Sequence, residues 1–140
     1  MIKEQTISFT LARADQRQQT YRLVLTICLI IDAAVGLVAL FCPTTLLSAL
    51  NEPGSDAVAW VRLWGAMEIG LAAFSATGLR YPAEERAANW IGAAVRLLMA
   101  AALLATGGAL PPVLLWQAIA GAALLWLYWR FLLSHLEARP

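Results

Sequence analysis

Four long apolar runs, separated by short polar joints, dominate the chain. They cover about residues 23–42 (LVLTICLIIDAAVGLVALFC), 57–79, 88–106 and 112–133. A hydrocarbon core about 30 Å thick needs about 20 mostly apolar helical residues, so each run is a candidate membrane span. The joints read PTTLLSALNEPGSD, RYPAEERA and GGALP. Pro43, Pro53 with Gly54, Pro82, and the stretch from Gly107 to Pro112 break the helices there. Behind Pro43, the segment TTLLSAL fits a short helix at the outer interface, because proline suits a first helical turn.

The pattern predicts an all-α integral membrane four-helix bundle. A polar N-terminal tail covers 1–21, the spans lie within 22–133, and a C-terminal tail covers 134–140. In the tail, Ile7, Phe9 and Leu11 alternate as in a strand. The preferred reading is a helix from about Leu11, capped by Thr10 and running into the first span. That polar tail, and Asp32 within the apolar run, argue for a retained anchor rather than a cleaved signal peptide.

Basic residues orient the spans. Lys3, Arg13, Arg17 and Arg22 precede the first span, Arg80 and Arg86 sit in the second joint, and Arg130 and Arg139 mark the C-terminal end. The first and third joints hold none, which places both termini on the cytoplasmic side of an inner (cytoplasmic) membrane. Tryptophan agrees: Trp60, Trp64 and Trp116 fall near the outer surface, and Trp90, Trp126 and Trp129 near the inner one.

Polar residues inside the spans are the candidate chemistry. Depth counted along each helix puts Asp32, Glu68 and Arg96 at one level. Arg62 and Gln117 share a level closer to the outer surface. Four unpaired charges in lipid would oppose insertion by roughly 10 kcal/mol, so Asp32, Glu68, Arg62 and Arg96 are expected to face one another as a neutral set. Each span also carries a small-and-polar stripe that permits close helix approach: Cys28, Asp32 and Gly36; Gly65, Glu68, Ala72 and Ser75; Gly92, Arg96 and Ala100; Gln117, Gly121, Leu124 and Tyr128. Such a cluster either fixes helix register or holds a small ligand, a proton or a substrate headgroup.

Composition narrows the choice. The 140 residues are 61 % hydrophobic and 14 % charged, with a net charge of +1, so nothing favours nucleic acid. The single histidine, His135, reads as a solvated end residue and excludes a two-histidine haem site within the chain. Cys28 and Cys42 lie about 21 Å apart along one helix, too far for a disulfide. Cys42 could bond another chain, but a small buried apolar role is preferred. Glu84 and Glu85 form a solvated cluster with Arg80 and Arg86. No phosphate loop, GxSxG or CxxC occurs, and no metal site or cofactor is expected.

Pro43, the following short apolar helix, the turn with Pro53, Gly54 and Asp56, the run Arg62-Leu63-Trp64-Gly65-Ala66 and the later Gly70 resemble the small bacterial four-helix membrane proteins of the DoxX-like group. The resemblance covers about 22–133 and implies the fold more than an activity. DoxX itself is associated with a thiosulfate:quinone oxidoreductase as a membrane subunit. The polar tail and the Trp-rich fourth span have no counterpart in that pattern.

The leading expectation is a small non-catalytic membrane subunit of a larger assembly, or a homo-oligomer, with lipid and other membrane subunits as partners. The alternative is a small-molecule, proton or quinone-linked site built from Asp32, Arg62, Glu68, Arg96 and Gln117.

Overall fold

The structure, a computed structural model, describes residues 2–50, 57–105 and 111–137, with side chains from Leu11 to Leu50, Ala57 to Ala105 and Pro112 to Glu137. The turn residues Pro53, Gly54 and Asp56, the breakers from Gly107 to Leu110, and Arg139 lie outside the described residues.

Five helices follow in order: α1 Ile2–Phe41, α2 Pro43–Ala49, α3 Ala57–Arg80, α4 Arg86–Ala105 and α5 Pro111–Glu137. The stretches Leu11–Phe41, Ala57–Arg80, Arg86–Ala105 and Pro112–Glu137 are each long and apolar enough to cross a membrane. These are the features of a multi-pass membrane protein. α1 packs on α3 and α5, and α4 packs on α3 and α5, so the four long helices close a ring of contacts. α2 lies across α1 and α3 at one end.

α1 begins well before Leu11, so Thr10 lies inside the helix and is no cap. The tail sequence holds several Gln, Arg and Ala residues, which are strong helix formers, and a helix already anchored by its apolar half extends through them cheaply. At the other end α5 continues through His135 to Glu137, so the first residues of the expected C-terminal tail are helical. His135 is half-buried and its ring lies 5.8 Å from that of Phe131. α1 stops at Pro43, which opens α2 in the first-turn position where its missing N–H costs nothing. Cys42, expected as a small buried residue, is exposed at this corner. Its carbonyl accepts from the Thr45 and Leu46 amides. Cys28 is buried.

Every residue of the four small-and-polar stripes is buried. Their value is clearest where α1 crosses α3. A Cβ added at Gly65 would lie 2.7 Å from the Gly36 carbonyl oxygen and 2.8 Å from the Ala39 Cβ. Only glycine allows this approach, which brings Asp32 and Glu68 onto adjoining faces.

Candidate functional site

The middle of the ring holds the charges. Asp32, Glu68, Arg96 and Gln117 come from four different helices, and none is more than 1 % exposed. Arg96 forms an ion pair with Asp32. The other Asp32 oxygen, Oδ1, accepts from the Trp116 indole N–H at 2.9 Å. Gln117 donates its amide N–H to Glu68 Oε1 at 2.7 Å. Four of the five expected polar residues therefore meet.

Arg62 does not join them. It is exposed on α3, turned away from the buried stripe of its own helix. Gln117, expected at the level of Arg62, instead bonds to Glu68. The expected neutral set is thus corrected: among the described residues, two buried carboxyl groups share one buried cation. The helical angle explains this. Arg62 and Glu68 are six residues apart, which at about 100° per residue separates them by about 120° around α3. Depth along the helix axis says nothing about that angle.

Glu68 is the incompletely satisfied member. Its Oε2 is buried with no hydrogen-bond partner among the described residues, and so is Gln117 Oε1. Nε and Nη1 of Arg96 lack acceptors as well. Buried polar atoms normally find partners, so such a concentration needs a physical reason.

A cavity adjoins these groups. It has a volume of about 210 Å³, room for about seven waters at ~30 Å³ each. Asp32, Glu68 and Gln117 border it, with Glu68 Oε2 and Gln117 Oε1 buried just behind its wall. Val35, Leu46, Trp64 and Val113 are among its apolar walls. Arg96 is not in the lining: it stands behind Asp32. The cavity reaches α2 at Leu46 and Leu50 and the start of α5 at Pro112. The result is a small, half-open, mainly apolar cleft with polar groups at its base.

Trp116 belongs to this site, although its sequence context suggested a surface anchor. Its indole supplies the donor that holds Asp32 while its ring forms cavity wall. Depth did not reveal this: counted from the outer span ends, Trp116 lies about six residues, ~9 Å, outward of Asp32.

A second polar network, also missed from sequence, ties the opposite end. Tyr21 donates to Asn89 Oδ1 at 2.7 Å. Asn89 Nδ2 and the Tyr128 hydroxyl both donate to the Pro82 carbonyl, at 3.2 and 2.9 Å. Tyr21, Tyr128 and Phe131 stack around it with ring centroids 5.1 to 6.5 Å apart. These bonds lock the joint between α3 and α4 against α1 and α5. They leave no free group for chemistry and read as structural.

Among the described residues no group of three or more His, Cys, Asp or Glu could hold a metal ion. No family model, curated protein or solved structure matches the chain.

Proposed function

We propose that this chain is a multi-pass inner-membrane binding protein, a four-helix bundle with both termini cytoplasmic. Its intramembrane polar cluster holds the head of a small amphipathic molecule. The observation that carries this reading is the buried Glu68 carboxyl, whose Oε2 has no partner among the described residues beside an otherwise apolar cavity. Asp32 and Arg96 satisfy each other's charge, and among the described residues Glu68 has no cation of its own. A purely structural network gains nothing from a second, half-satisfied carboxyl in the middle of a membrane.

The lining specifies the chemistry of the head. Glu68 Oε2 and Gln117 Oε1 are acceptors just behind the cavity wall, the Trp116 donor is already used by Asp32, and the Trp64 indole is directed at Glu68. The site therefore selects a head that donates: an ammonium, or one or two hydroxyl groups. An oxidised quinone brings only acceptors and fits poorly. A hydroquinone brings two donors and fits the quinone-linked association of the DoxX-like group, to which the Arg62–Gly65 run is similar. The apolar walls at Leu46, Trp64 and Val113 would take the adjoining ring or chain. The role this assigns is binding or carriage of that molecule.

The second reading is a non-catalytic subunit or homo-oligomer in which the cluster only fixes packing. The buried Asp32–Arg96 ion pair favours it, as do the exposed indoles of Trp60, Trp126 and Trp129 that another chain could cover.

Native mass spectrometry on protein purified gently from its own membranes separates the two. The binding reading expects a retained small molecule that is lost from Glu68→Gln while abundance stays normal. Protein carrying only other chains, with Glu68→Gln indistinguishable from wild type, would overturn it.

A further inference from the structure

The end of the molecule away from that cavity carries a second binding feature. A groove of about 470 Å³ runs between α1 and α5, lined by Arg13, Gln16, Arg17, Thr20, Leu127 and Arg130. Residues 13, 16, 17 and 20 recur at the spacing of one helical face, and Leu127 and Arg130 stand one turn apart on α5. Three arginines thus line one concave surface, with no carboxylate in the lining among the described residues. Asp15, the nearest acid on α1, is about 100° or more away around the helix from every lining position on α1.

Two of the arginines are held in place. Arg17 donates from Nη1 to the Arg130 carbonyl at 3.2 Å. Arg130 lies over the Trp126 ring, 4.9 Å from its centroid. This is costly for long, flexible side chains unless something rewards their convergence. Arg17 stands six residues, about 9 Å, before Leu23, where the first apolar run begins. That is about the depth of a lipid headgroup. Leu127 provides an apolar wall on the membrane side.

We propose that this groove seats the phosphate of an anionic membrane lipid. Guanidinium forks match phosphate oxygens in pairs, and Arg17 and Arg130 face each other across the groove. Basic pockets between membrane helices are suited to such heads. This site is separate from the Glu68 cavity and stands or falls without it.

The test is lipid titration of the full chain in mild detergent, read by native mass spectrometry. The probes are diphosphatidylglycerol, phosphatidylglycerol, phosphatidylcholine and inorganic phosphate. Both anionic lipids should bind more tightly than phosphatidylcholine, with inorganic phosphate not competing. Arg17→Gln with Arg130→Gln should bind anionic lipid about thirtyfold more weakly. Arg80→Gln with Arg86→Gln removes equal charge outside the groove and should stay within about threefold of wild type. Arg17→Lys with Arg130→Lys keeps the charge but not the fork and should bind between the wild type and the glutamine variant, which guards against misfolding of the latter. Equal losses in the two glutamine variants would show diffuse attraction and overturn the proposal. Phosphatidylcholine binding as tightly as the anionic lipids, or inorganic phosphate displacing them, would overturn it too.

Discussion

Asp32→Asn and Glu68→Gln make the same chemical change, carboxyl to amide, and should have opposite consequences. Asp32 is the ion-pair partner of Arg96, which is 0 % exposed. The amide in Asp32→Asn could still accept from Trp116, but it would leave a buried guanidinium with no counter-charge. Breaking one side of a buried pair costs about 3–5 kcal/mol. Set against a total stability of about 5–15 kcal/mol, that is a loss of a third or more for many proteins. Glu68 differs. Glutamine keeps the carbonyl that accepts from Gln117 and removes a carboxyl that has no cation of its own among the described residues. Glu68→Gln should therefore change stability by no more than about 1 kcal/mol. Adding Arg96→Met to Asp32→Asn removes the orphaned charge and should recover much of the loss. The assay is thermal unfolding in one fixed detergent, with abundance in membranes as a second readout. Equal losses in the two single variants would refute the reasoning, because Glu68 would then be a full partner of Arg96. So would a tolerated Asp32→Asn.

Other variants probe the geometry around the cluster. Arg62→Gln should leave stability within about 0.5 kcal/mol, measured by the same unfolding, because the side chain is exposed and outside the cluster. Gly65→Ala should cost about 1–3 kcal/mol by forcing α1 and α3 apart. Gly70→Ala on the same helix meets nothing within 4 Å and should be neutral or stabilising, so the pair isolates the close approach from helix propensity. Trp116→Phe removes the donor to Asp32 and should cost about 1.5–3 kcal/mol while keeping the cavity wall. Asn89→Leu removes the link from Tyr21 to Pro82 and should lower the unfolding temperature without altering any retained small molecule.

Much of this architecture is written plainly in the sequence. Apolar length fixes the helices able to cross a membrane, and the recurrence of Gly65, Glu68, Ala72 and Ser75 identifies the inward face of α3. The same angular arithmetic, applied to Arg62, would have placed it outside the cluster, whereas depth alone grouped it with Gln117. Trp116 was hidden for a different reason. An indole near a span end serves equally as an interface anchor or as a buried donor, and only the position of Asp32 on another helix decides between them. The Tyr21–Asn89–Pro82 network was hidden because a backbone carbonyl at its centre has no sequence signature. The extent of α1 depended on propagation from an anchored helix into a polar segment, which no local cap signals.

The central claim is that the cavity beside Glu68 receives a donating head group. The most direct measurement is an experimental density map of the protein in native lipid, resolved to side chains. The account predicts non-protein density in the cavity touching Glu68 Oε2 and Gln117 Oε1, with Arg62 pointing outward. Arg62 folded inward against Glu68, or a cavity closed by its own walls, would contradict it.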